Sequence, residues 1–69
     1  MNITLIACSD SPEILWNCFR MGNLMLEQMD DVTIFLNGPS VNFASLSSEK
    51  YPINEQAKIF TLSDGVLHA

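Results

Sequence analysis

A chain of 69 residues, 48% of them apolar, bounds a single domain and a marginal one, because chains this short bury only about 60% of their unfolded surface. The net charge is −5, with eight acidic residues against Arg20, Lys50 and Lys58. Three scattered cations cannot neutralise a run of phosphates, which excludes nucleic acid and an anionic membrane surface as partners. No apolar stretch approaches the ~20 residues of a membrane-spanning helix. No basic segment with a cleavage site marks a secretory leader, so the cytoplasm is the expected compartment. Two cysteines, Cys8 and Cys18, do not make a disulfide framework. With His68 as the one histidine they do not make a zinc site either, and no metal or cofactor is expected. Of the usual supports for a small chain, association or a continuation of the chain remains.

The run Ile3-Thr4-Leu5-Ile6-Ala7-Cys8 reads as a strand buried on both faces, as in parallel sheets. Ser11-Pro12-Glu13 opens a helix: serine caps, proline at the first position loses no hydrogen bond, and Glu13 sits at the positive end of the dipole. The helix is expected to reach about Gln28 or Met29. At 100° per residue, Ile14, Leu15, Cys18, Phe19, Met21, Gly22, Met25, Leu26 and Met29 share one arc. Asn17, Arg20, Asn23, Glu27 and Gln28 share the other, and Trp16 and Leu24 break the pattern by falling among them. Exposed apolar residues are ordinary, but Trp16 and Arg20, one turn apart, have the spacing to stack. With Leu24 they are candidate subunit contacts.

Val32-Thr33-Ile34-Phe35-Leu36 reads as a second buried strand, ended by the turn Asn37-Gly38-Pro39. Strand, helix and strand make a right-handed βαβ unit. Val41, Phe43, Ala44 and Leu46 suggest a short helical turn. A second helix follows Tyr51-Pro52-Ile53, with Asn54 as its expected cap and Gly65 as the left-handed residue that stops it. Val66-Leu67-His68-Ala69 begins a third strand. Fewer than three full strands do not close a layered core whose sheet needs helices on both faces. The chain is therefore expected to continue or to be completed by partner chains.

Ligands of open parallel sheets bind beyond the carboxyl ends of the strands. Three places qualify here: Cys8-Ser9-Asp10-Ser11, Asn37-Gly38, and His68. Ser9 and Ser11 precede a helix N-terminus, an intrinsic anion site. No glycine lets the backbone close in, Asp10 repels anions, and the dinucleotide and P-loop spacings are absent. Cys8 reads first as a small residue ending a buried strand, with a thiol nucleophile near a helix dipole as the alternative. His68 is a candidate acid–base group or a structural strand-end histidine. Cys18 and Met21, Met25 and Met29 follow the apolar arc and read as core.

The order of these pieces resembles the DsrE/DsrF-like family. The resemblance rests on the N-terminal strand, Ser-Asp-Ser-Pro-Glu opening a helix with Trp16-Asn17-Cys18-Phe19-Arg20, and Val32 to Val41 with its glycine and valine. Lys50-Tyr51-Pro52-Ile53 leading into a helix that ends at Asp64-Gly65 adds to it. What this implies is the N-terminal part of a three-layer α/β/α domain with a mainly parallel, flavodoxin-like wound sheet. It also implies assembly as dimers, trimers or hexamers, or with related subunits. Some members relay sulfur as a persulfide on a cysteine just after the third strand, with a sulfur-carrier protein as partner. Neither Cys8 nor Cys18 occupies that position, so the reactive cysteine is absent from these residues. Two further readings stand beside this one: a non-catalytic oligomeric subunit or assembly module, and a small flavin- or nucleotide-binding domain using Ser9, Asp10 and Ser11.

Overall fold

Apolar and β-branched residues without a glycine or proline make extended backbone the preferred state of both early runs. In the computed structural model, which describes residues 1–38 and 43–68, they form β1 (Asn2–Ala7) and β2 (Asp31–Leu36). Between them lies α1 (Pro12–Glu27); after them come α2 (Phe43–Leu46), α3 (Ile53–Leu62) and β3 (Val66–His68). The sheet is parallel in the order β1-β2-β3. Ile3 pairs with Val32, Leu5 with Ile34, Ala7 with Leu36, and Ile34 in turn with Leu67. Val41 of the expected helical turn and Pro39 and Ala69 lie outside the described residues.

Strand order decides how the layers form. Right-handed crossovers that always step in the same direction carry their helices over the same face of a sheet. Here α1 and α3 pack against one another and against the face made by Ala7, Val32, Ile34 and Leu36. Leu15 and Phe19 from α1, and Ile53, Ala57 and Phe60 from α3, complete the core. Phe19 meets Phe60 edge-on, with ring centroids 6.1 Å apart. Among the described residues the opposite face carries no helix. The strands expected to be buried on both faces are therefore buried on one: Ile6 is 66% exposed and Phe35 42%.

Both helix ends differ from the simplest reading of their sequence. Ser11 does sit at the N-cap in extended backbone with Pro12 next, but its side chain makes no capping bond. Helix α3 begins at Ile53, so Asn54 lies inside its first turn rather than at its cap. Burial of Ile53 pulls it into the helix, and the Ser47 hydroxyl accepts the Asn54 amide at 3.1 Å, serving that orphan donor from outside. At the other end, Asp64 takes the left-handed conformation, φ 69°, and Gly65 does not. Gly65 is required for space instead: a Cβ there would lie 2.6 Å from three atoms of the Phe60 ring.

Candidate functional site

The three expected loop positions do gather at the carboxyl end of the sheet. Cys8 follows β1 and is exposed. Asn37 follows β2; its backbone amide donates to the Ala7 carbonyl at 2.8 Å, and its side-chain amide points at Cys8 Sγ, 3.9 Å away. His68 pairs with Phe35, placing it one strand beyond, on the open face. Cys8 and His68 therefore flank β2 on the two outer strands. Two strand spacings, about 10 Å, separate their strands, and Cys8 lies two residues further along than Ile6, the residue in register with His68, so direct proton transfer between the two side chains is ruled out as they stand.

The loop before α1 uses its own polar groups. Ser9 Oγ accepts the Ser11 amide at 3.0 Å, and the Ser11 carbonyl accepts the Leu15 amide at 3.0 Å. Asp10 is exposed. Gly38 has φ 58° and open space around its missing Cβ, so glycine is there for backbone conformation and not for the approach of a ligand. Among the described residues no group of three His, Cys, Asp or Glu side chains is placed to hold a metal ion.

Trp16, Arg20 and Leu24 separate into two environments. The Arg20 guanidinium lies 4.3 Å over the Trp16 ring, as the one-turn spacing suggested, and also donates to Asn17 Oδ1 at 3.2 Å. Trp16 is half-buried against Tyr51, ring centroids 5.5 Å apart, and Lys50 sits 5.5 Å over the Tyr51 ring. Arg20, Trp16, Tyr51 and Lys50 thus form one stack that ties the α3 approach to α1. Lys50 and Tyr51 were missed as members because nothing at helical spacing links them to Trp16. Leu24 stays exposed on the rim of a groove of about 600 Å3 between α1 and α3. The groove floor holds Asn23, which donates to the Gln56 carbonyl at 3.1 Å and to its side-chain oxygen at 3.0 Å. Asn23, read from sequence as solvent-facing, is a helix–helix contact.

The two cysteines differ in kind. Cys18 packs against the core, and burial pushes its thiol pKa up, holding it as the neutral thiol. Of the three methionines expected as core, Met25 packs there, Met21 is exposed, and Met29 lies past the helix end at φ 68° and 90% exposed.

The open sheet face also exposes apolar side chains. Ile6, Phe35 and His68 are in register across it, and so are Thr4, Thr33 and Val66. Ile6, Phe35 and Val66 expose 66%, 42% and 44% of their surface. The signal was present in the sequence as the alternation of threonine with isoleucine or phenylalanine inside runs that read as uniformly apolar. No helix among the described residues is long and apolar enough to cross a membrane. In comparisons with protein-family models, curated proteins and solved structures, nothing matches this chain.

Proposed function

We propose that this chain is an assembly module, a non-catalytic subunit whose open sheet face is closed by the same face of another copy. The carrying observation is a parallel sheet that, among the described residues, is covered on one side only, with Ile6, Phe35 and Val66 exposed on the other. Parallel sheets are stable when both faces are covered. The centre of this face carries no charge, so copies of a chain with net charge −5 meet there without placing like charges together. The third layer expected of an α/β/α domain is, in this reading, supplied by assembly. Sedimentation from micromolar to millimolar protein tests it: Phe35→Asp removes an association that the wild type shows, while its helical signal is unchanged. A wild type that stays monomeric throughout removes the reading.

A second reading, a sulfur carrier that uses Cys8 in place of the cysteine expected of DsrE/DsrF-like proteins after the third strand, is favoured by one observation. Cys8 is exposed at the carboxyl end of the sheet with the Asn37 amide directed at its sulfur. In that reading the Cys8 thiolate attacks the outer sulfur of a donor persulfide. The donor S–S bond breaks, the donor leaves as a thiolate, and Cys8 holds the new persulfide. Intact-mass measurement after exposure to polysulfide tests it: one added sulfur on the wild type and none on Cys8→Ser supports a carrier, and no adduct on the wild type removes it.

A further inference from the structure

The two edges of the sheet are built differently. β3 has three residues and follows the acidic turn at Asp64. β1 has six, with no charge, no proline and no bulge to deter pairing. Its outward groups follow from its inward ones. The Met1 carbonyl accepts the Asp31 amide at 2.9 Å and the Ala7 carbonyl accepts the Asn37 amide at 2.8 Å, so odd-numbered residues turn their backbone toward β2. By alternation, Asn2, Thr4 and Ile6 present their N–H and C=O groups to the outer edge, where no strand pairs among the described residues.

That edge is complementary to itself. Turned about a two-fold axis at Thr4, it places Thr4 opposite Thr4 of a second copy and Asn2 opposite Ile6, each pair exchanging two backbone hydrogen bonds. The same rotation brings α1 beside α1 of that copy. The flank turned away from α3 carries exposed Ile14, with Cys18 and Met25 half-buried beneath, and exposed Met21 at its outer rim, where it also lines the groove between α1 and α3. None of these residues is charged.

We infer that β1 pairs antiparallel with β1 of a second copy, joining two three-stranded sheets into one of six strands. This goes beyond the open-face reading, because it uses a different surface. The edge and its helical flank span about 20 Å by 20 Å, roughly 400 Å2 per copy. Three strands of open face add about 300 Å2. Each falls below the ~800 Å2 per partner of a standard interface and in the size range of weak contacts, so each is expected to fill at millimolar protein and to empty on dilution. A four-chain assembly with two-fold axes through both surfaces is the result, and each surface is separately breakable.

Thr4→Pro tests the edge. The Thr4 amide faces outward, so proline removes a donor from the seam and none from the β1–β2 ladder. The expected masses at millimolar protein are four chains for the wild type, two for Thr4→Pro, two for Phe35→Asp and one for the double variant. If Phe35→Asp leaves the mass unchanged while Thr4→Pro halves it, the edge holds and the open-face reading fails. If Thr4→Pro leaves the mass unchanged, the edge inference is overturned and the open-face reading is untouched. Amide exchange on the wild type decides the same question should the proline variant fail to fold. Thr4 and Ile6 amides slow as concentration rises if the edges pair, and exchange as freely at millimolar as at micromolar protein if they do not.

Discussion

The two faces of one sheet are made from the same strands and nearly the same residue types, yet one is a core and the other a surface. Ile34 and Phe35 are neighbours in β2; Ile34 is fully buried and Phe35 is 42% exposed. The difference lies in the order of the strands and not in the strands themselves. Because β1, β2 and β3 follow one another across the sheet, both helical connections fall on the Ile34 side. Apolar content alone therefore does not say whether a strand is covered once or twice; the path of the chain does.

The covered side is where this difference is easiest to break. Phe60 is fully buried, touches Phe19 edge-on and fills the space beside Gly22 and Gly65. Phe60→Ala is expected to cost about 3–5 kcal/mol. A chain of this size has a total stability of only about 3–10 kcal/mol. Denaturant unfolding should find at least about a third of the wild-type stability lost. Gly65→Ala comes next, at about 1–3 kcal/mol, because the new methyl meets the Phe60 ring and the backbone must move. Phe60→Leu should relieve part of that cost in the double variant, and additive losses would show that the clash is not the cause.

A smaller effect separates the buried from the exposed thiol. With its thiol pKa raised by burial, Cys18 should alkylate far more slowly than the exposed Cys8 at mildly alkaline pH. Peptide mapping after timed labelling reads this directly, and equal rates would show that α1 does not shield Cys18. The sign for stability follows from the same shift. The folded state holds the proton more tightly than the unfolded one, so this contribution is complete at neutral pH. It is lost as pH rises above the ordinary thiol range. Met29→Gly is the smallest change: it relieves a left-handed backbone at a fully solvated residue and should raise stability by about 0.5–1 kcal/mol. An unchanged midpoint would mean that the left-handed turn there carries no strain.

Much of the architecture was legible in the residues. The three strands, the proline-led start of α1 and the helix before β3 all follow from local composition and periodicity. The Arg20–Trp16 stack was legible too, because a one-turn spacing on a helix fixes proximity. What depended on strand order was not legible: the open face, and the exposure of Ile6 and Phe35. Contacts between distant segments were hidden for a related reason. Tyr51 beneath Trp16, Gln56 against Asn23 and Ser47 capping Asn54 join positions that no periodic pattern links. The candidate site residues Cys8, Asn37 and His68 were legible as strand ends. Their separation across β2 required the sheet order.

The most direct measurement of the central claim is an isotope-filtered NOE experiment on an equal mixture of labelled and unlabelled chains at millimolar concentration. Closure of the open face by another copy predicts intermolecular contacts from the Phe35 ring to the methyl groups of Ile6 and Val66. Intermolecular contacts that are absent from all three residues, with their signals unchanged on dilution, would contradict it.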